Sequence, residues 1–183
     1  EAFRYAVTKD PVARDHARDA YRAMEFLQTV TGTPGFVART VIPTDWTEMA
    51  DRNRTHTPQE IAEMLVDDPR EKPVDVRWRP SADGRWLWKG DTSSDEITGH
   101  FFAYAIYYDL VADETERARV RQHVARVMDY LMAGDYDLLD IDGQPTRWGI
   151  WSPKELNGNP AWRLDRGVNS TELLSYLKVT HHM

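Results

Sequence analysis

The chain has 183 residues, of which 41% are hydrophobic and 29% charged, a composition typical of one folded domain and not of a disordered or fibrous protein. Its net charge of −7, with arginines mixed among acids, argues against a nucleic-acid partner, and no apolar run reaches the length of a membrane span. The chain has no cysteine, which excludes disulfides and thiolate chemistry but does not fix the compartment. From its composition we expect a soluble protein, and a periplasmic or secreted location stays open.

The first half of the chain is predicted to contain two helices separated by a long loop. Apolar side chains recur at helical spacing from Val12 to Val30, and the glycines and proline of residues 31–35 would end that helix. Thr57 followed by Pro58 is a favourable start for a shorter helix. The predicted elements are an amphipathic helix over 12–30, an extended segment over 36–41, a polar loop over 44–57 and a short helix over 58–65.

The second half is predicted to alternate turns with helices. Asp-Gly pairs lie twice between extended runs, and such a pair indicates a β-hairpin. Residues 97–110 are apolar on nearly every face, which predicts a buried helix, whereas residues 113–132 carry one apolar stripe and should form its outer, antiparallel partner. The predicted elements are hairpins over 74–88 and 136–150, helices over 97–110, 113–132 and 170–181, and an irregular loop over 152–167.

Two stretches of this half follow the same order. Each has an Asp-Gly turn, an Arg-Trp pair, a loop and a Ser-x-Glu triplet that opens a helix. This order indicates a repeated unit of hairpin, inner helix and outer helix, and the chain ends where a second unit would continue. The matching residues are Asp83-Gly84, Arg85-Trp86 and Ser94-Asp95-Glu96 in the first stretch, and Asp142-Gly143, Arg147-Trp148 and Ser170-Thr171-Glu172 in the second.

Residues 90–102 concentrate polar side chains where an extended run meets the apolar helix. Asp91, Asp95 and His100 lie there, at the expected mouth of the most buried helix, and they are the candidate catalytic residues. Ser93 with the residue three positions later matches a capping box, which satisfies backbone N–H groups at a helix start. Capping without any chemistry is therefore the alternative explanation of this cluster.

Glu96 and His100 are four residues apart and should project from the same helical face. A carboxylate within reach of an imidazole orients the ring and raises its pKa, which suits acid–base catalysis. The alternative is a core histidine that is hydrogen-bonded to a neighbour.

Residues 31–35 with the following Arg39, and residues 90–102, resemble segments between helices of the α/α-toroid carbohydrate-active proteins, in which helical hairpins surround a central axis. The resemblance implies a mainly α fold: one domain over residues 1–183, made of helical hairpins of a partial α/α toroid with short β-hairpins between inner and outer helices. Because a full toroid of six hairpins is longer, we expect a partial toroid or a piece of one.

Proteins of this kind include glycoside hydrolases, sugar epimerases and uronate lyases, so the resemblance implies a carbohydrate ligand bound where inner helices begin. We expect a glycoside hydrolase in which Asp91 or Asp95 pairs with another carboxylate or with His100. A non-catalytic helical binding or structural module is one alternative, and a uronate lyase with Tyr104 or His100 as base is another. The expected substrate-binding residues are Arg39, Trp88, Glu96, Tyr104, Trp148 and Glu172.

No cofactor and no metal are expected. The His-Glu-x-x-His motif is absent, and the aspartates at 135, 137, 140 and 142 lack the spacing and terminal glutamate of a calcium loop. The expected partner is a carbohydrate, with no nucleic acid and no membrane. The sequence leaves the substrate, the stereochemical outcome and the oligomeric state open.

Overall fold

The computed structural model describes residues 1–46 and 51–183, and within them the fold is mainly α, as predicted. None of the described helices is long and apolar enough to cross a membrane. The helices are α1 (Ala2–Thr8), α2 (Pro11–Thr29), α3 (Pro58–Asp67), α4 (Ser94–Leu110), α5 (Glu114–Ala133), α6 (Pro153–Gly158) and α7 (Arg166–His182), with a 3-10 turn at Pro160–Trp162. The strands are β1 (Thr40–Pro43), β2 (Trp78–Pro80), β3 (Trp86–Lys89), β4 (Asp137–Leu139) and β5 (Pro145–Ile150).

Helix α2 confirms the predicted amphipathic helix to within one residue at each end. It begins after Asp10, whose carboxylate accepts a hydrogen bond from Val12 N at 3.0 Å, and Pro11 occupies the first helical position, where its missing N–H costs nothing. The face that carries Ala13, Ala17 and Tyr21 is buried. The predicted short helix over 58–65 is likewise confirmed by α3.

Helix α4 supplies much of the core, but it is not buried on every side. Ile97, Phe101 and Tyr104 are fully enclosed, whereas Phe102 is 66% exposed. The prediction of a helix buried all round was therefore wrong on one face, because an all-apolar composition does not show how many neighbours the rest of the chain supplies.

Helices α4, α5 and α7 pack as a group. A three-residue link joins α4 to α5, and Arg117 of α5 reaches back to donate to the Tyr108 carbonyl at 3.2 Å, as expected of an antiparallel pair. Helix α7 runs in the same direction as α4, since Tyr108 Oη donates to the Met183 carbonyl at 3.2 Å where both helices end. The N-terminal ends of α4 and α7 consequently lie side by side.

Both Asp-Gly hairpins form as predicted. Strands β2 and β3 pair antiparallel, with β1 on the other edge of β3, and β4 pairs with β5. The fully buried carboxylate of Asp140 joins the two hairpins, because it accepts from Asp91 N at 2.7 Å and from Arg79 at 3.1 Å. A Cβ at Gly90 would lie 2.4 Å from the Arg79 guanidinium and 2.7 Å from the Asp140 carboxylate, so a larger residue would have to displace this ion pair.

Three other predictions need correction. The segment predicted as irregular over 152–167 contains α6 and the 3-10 turn, and the extended segment over 36–41 is a strand only from Thr40 onward. Helix α7 begins at Arg166, so Glu172 lies in its second turn and is not part of a cap. Of the predicted loop over 44–57, residues 47–50 lie outside the described residues, and the remainder contains no helix or strand.

Candidate functional site

A cavity of about 290 Å³ lies where the N-terminal ends of α4 and α7 meet. Two helix starts point at it, and each contributes unsatisfied N–H groups and a positive dipole end that favours acidic groups nearby. The cavity brings together residues from five separate parts of the chain. It is lined by Arg39, Ser93, Ser94, Asp95, Trp148, Trp162, Asp165, Val168, Asn169 and Glu172.

Asp95 lies in the first turn of α4, with an exposed side chain at the rim of the cavity. Within the described residues it makes no hydrogen bond and no ion pair. Most acids around it are committed to protein partners, so Asp95 is the carboxylate with the most freedom to meet a ligand.

Glu172 is held in place from the α7 side. Its Oε2 accepts a hydrogen bond from the indole Nε1 of Trp151 at 2.9 Å, and the Trp151 ring itself is buried. One turn earlier, the Asn169 amide donates to the Ile150 carbonyl at 2.8 Å, which ties α7 to strand β5. These bonds orient Glu172 toward the cavity, while no hydrogen bond to its Oε1 occurs in the described part of the chain.

Arg39 and Glu96 form a pair beside Asp95. The Arg39 Nε lies 3.3 Å from Glu96 Oε1, and an Arg39 Nη donates to the Asp91 carbonyl at 3.3 Å. The other oxygen of Glu96 accepts from Ser93 N at 2.7 Å and from Ser93 Oγ at 2.5 Å. Glu96 therefore serves the helix start and fixes Arg39 at the same time, and it does not line the cavity.

Two tryptophans meet edge to face at one wall of the cavity. The Trp148 and Trp162 ring centroids are 6.2 Å apart, with an interplanar angle of 86°. The guanidinium groups of Arg70 and Arg147 lie over the Trp148 ring at 4.7 and 4.5 Å, and Arg70 also lies 5.5 Å from the Trp162 ring. The two perpendicular rings form a corner, and arginine side chains occupy it in the structure.

Besides Glu96, four of the predicted site residues do not line this cavity. Asp91 is buried, and its carboxylate accepts from Arg147 N at 3.0 Å, which connects the two hairpins. Trp88 is packed in the core between Phe36 and the Arg79 guanidinium. The remaining two, His100 and Tyr104, belong to a separate buried network.

That network consists of His100, Tyr104 and His123. The Tyr104 hydroxyl lies 2.7 Å from His100 Nδ1 and 2.7 Å from His123 Nε2, with all three side chains buried. Burial lowers the pKa of each histidine to about 4, and for His100 the nearby Glu96 charge offsets only part of this effect. The expectation that Glu96 would orient His100 and raise its pKa was therefore wrong: the partner is Tyr104, and desolvation dominates.

Sequence reasoning missed Trp162 and Asp165 as lining residues. Both follow α6 in the stretch that was predicted to be irregular, and their places depend on two short helical elements. A signal was present in Ser152-Pro153 and Asn159-Pro160, since a polar residue followed by proline is typical of a helix start.

A second cavity, of about 670 Å³, adjoins the first. Trp162 lines both, Arg70 lines the larger one, and its ion-pair partner Asp165 lines the smaller one. Lys154 also faces the larger cavity and has no ion pair within residues 1–46 and 51–183. The two cavities are thus neighbours separated by the Arg70–Asp165 pair.

The described residues contain no group of three or more His, Asp or Glu side chains arranged to hold a metal ion. No family model matches the chain, and neither does any curated protein or solved structure. The resemblance to α/α toroids stays a prediction, and a function has to be inferred from the chain's own residues and their geometry.

Proposed function

We propose that this protein is a glycoside hydrolase that binds its glycan in the cavity at the starts of α4 and α7. The observation that carries the proposal is that two carboxylates with no ion pair in the described residues, Asp95 and Glu172, line one cavity together with Arg39 and two indole rings, while the third, Asp165, pairs with Arg70. Indole rings bind the apolar faces of sugars, and a carboxylate pair is what glycosidic cleavage requires.

The two carboxylates are held differently, which suits different roles. Glu172 is oriented by the Trp151 indole N–H, which leaves its other oxygen to carry a proton to the leaving group. Asp95 has no partner in the described part of the chain, which suits a base or nucleophile acting on the opposite side of the bond. Arg39, fixed by Glu96, would donate hydrogen bonds to sugar hydroxyls.

The same placement supports the finer proposal of a partial α/α toroid. Parallel helices α4 and α7, with α5 antiparallel to α4, have the alternation that inner and outer helices of a toroid require. In that arrangement the ligand groove lies at the starts of inner helices, and the cavity lies between two such starts.

A non-catalytic glycan-binding module is the second candidate. It is favoured by the contacts that already engage Glu96 and Glu172 within the protein, since both carboxylates have a structural explanation. The uronate lyase has less support, because its candidate bases, Tyr104 and His100, bond to each other in the core and are not among the cavity-lining residues.

A glycan panel separates these candidates. We expect new reducing ends without the ultraviolet absorbance of an unsaturated uronate, which identifies hydrolysis. Reducing ends accompanied by that absorbance would instead identify a lyase. Binding without either signal would establish the non-catalytic module, and neither binding nor cleavage across the panel would count against a glycan ligand.

A further inference from the structure

Residues 68–73, here called the strap, lie beside the larger cavity and are connected to the smaller one through the Arg70–Asp165 pair. Pro69, Arg70, Lys72 and Pro73 of the strap line the larger cavity. The preceding helix α3 buries none of its residues, and Val66 at its end is 83% exposed. The strap therefore follows a peripheral helix and forms one side of the larger cavity.

Side chains alone attach the strap to the strands and helices beneath it. Its backbone hydrogen bonds in the described structure run only within residues 64–71, from Asp68 N to the Met64 carbonyl and from Glu71 N to the Asp68 carbonyl. Arg147 of β5 reaches across to Asp68 at 3.0 Å and to Glu71 at 2.6 Å. Lys72 adds a longer pair with Asp142 at 3.5 Å. Because these attachments are ion pairs between side chains, which salt weakens, the strap can separate from the cleft without breaking a helix or a strand.

Arg70 makes the most specific of these attachments. Its Nη1 lies 2.5 Å from the Asp165 carboxylate beside the start of α7, and its guanidinium occupies the corner between the Trp148 and Trp162 rings. A corner of two perpendicular indoles can bind a flat ligand with apolar faces, and a pyranose ring has that shape. In the structure the guanidinium takes that place.

We propose that the strap is a lid over the glycan cleft, that Arg70 is its latch, and that a sugar ring displaces Arg70 from the corner between Trp148 and Trp162. Displacement of Arg70 breaks its pair with Asp165 and joins the two cavities into one cleft. The joined cleft accepts several sugar rings in a row, so the substrate is an oligosaccharide or polysaccharide. The identity of the occupant rests on the proposed function, whereas the latch does not.

The latch is tested first, without any glycan. Because the chain has no cysteine, the Ala161→Cys variant carries one thiol, at a position that lines the larger cavity. Adding Arg70→Ala should speed the reaction of this thiol with a disulfide reagent by roughly two- to thirtyfold, the range that the loss of a cation–π contact implies. Arg121→Ala is the matched control, because Arg121 also pairs with an acid, Glu114, and lies over an aromatic ring, Tyr108, on another face. An unchanged thiol rate in Arg70→Ala overturns the lid.

The occupant is tested by calorimetry with cellohexaose, chitohexaose, xylohexaose and a hexamer of galacturonate. If the sugar and Arg70 compete for the corner, Arg70→Ala binds the preferred hexamer roughly two- to thirtyfold more tightly than the wild type, and Trp148→Phe binds it more weakly. Weaker binding by Arg70→Ala overturns the competition and makes Arg70 a ligand contact, while the proposed function survives. A faster thiol reaction with no hexamer bound by any variant overturns the sugar as occupant and the proposed function together, and leaves the latch in place.

Discussion

Helix α4 contributes residues to two clusters of ionisable side chains that differ in burial and in charge. The mouth, formed by Asp95, Glu172 and Arg39, is open to a cavity and charged. The sealed network, formed by His100, Tyr104 and His123, is buried, and its histidines are neutral because burial lowers their pKa values to about 4. The mouth can meet a ligand, whereas the sealed network can only stabilise the fold.

The difference follows from the geometry of the helix. Asp95 and His100 are five residues apart, which places their side chains about 140° apart around the helix axis. Residues close in sequence at a helix start therefore do not form one site unless their spacing is three or four. The comparison predicts that substitutions in the mouth change activity, and that substitutions in the sealed network change stability.

The largest expected effect is on turnover at the mouth. Asp95→Asn removes the carboxylate while keeping the side-chain size, and we expect turnover of the glycan identified by the panel to fall by about 10² to 10⁴. The melting temperature should change little, since Asp95 makes no hydrogen bond or ion pair in the described residues and loses only its interaction with the helix dipole, about 0.3 to 1 kcal/mol. Asp109→Asn at the far end of α4 is the control and should leave turnover unchanged. Full turnover in Asp95→Asn would remove Asp95 from the mechanism.

The next effect is the loss of stability in acid. His100 and His123 have folded pKa values of about 4, below their value of about 6.5 in the unfolded chain, so between these limits the unfolded state binds more protons. Their contribution is intact above pH 6.5 and falls toward pH 4, by roughly 3 kcal/mol for each ring. Urea unfolding at pH 7, 5.5 and 4.5 measures this fall.

His123→Phe, which cannot be protonated, should flatten that pH dependence. Acidic side chains also titrate toward pH 4, since hydrogen bonds lower the pKa values of Asp68 and Asp83 to about 2 and burial raises the pKa of Asp137. The difference between His123→Phe and the wild type at each pH therefore isolates the histidine contribution. Equal stability at pH 7 and pH 4.5 in the wild type would contradict a sealed, neutral network.

A smaller effect should follow from removal of the hydroxyl that joins the two histidines. Tyr104→Phe leaves His100 Nδ1 and His123 Nε2 buried without their shared partner, at a cost of about 1 to 3 kcal/mol in the free energy of unfolding. Turnover of the folded protein should be unchanged. Tyr5→Phe is the control, since the Tyr5 hydroxyl makes no hydrogen bond within the described residues. A loss of turnover without a loss of stability would place Tyr104 in the mechanism after all.

Local patterns predicted much of the fold. Helical spacing located α2, α4 and α5, and Asp-Gly located both hairpins, because each of these signals depends on residues only a few positions apart. Helix α6 and the 3-10 turn after β5 were missed because residues 152–167 contain two prolines and no helical spacing, whereas Pro153 and Pro160 each occupy the first position of a helical element.

The site was less predictable than the fold. Asp95, Arg39, Trp148 and Glu172 were chosen from the sequence and do line one cavity. Arg70 was not, because its place between two indoles depends on contacts with residues that lie far from it in the chain. Which residues close a cavity is decided by long-range packing, and no spacing rule in the sequence encodes it.

The smallest expected effect tests whether the start of α4 is only a cap. Ser93→Ala removes the hydroxyl that donates to Glu96 but keeps the backbone hydrogen bond to the same carboxylate, so we expect a cost of about 0.5 to 1 kcal/mol. Asp113→Ala is the comparison, because Asp113 caps α5 with the same pattern through Glu116, away from the cavity. Urea unfolding of both variants, with glycan affinity measured alongside, separates the two roles. If Ser93→Ala weakens glycan binding and Asp113→Ala does not, Ser93 belongs to the mouth, either as a lining residue or by fixing Arg39 through Glu96. If both variants lose only stability, the capping box is a cap alone.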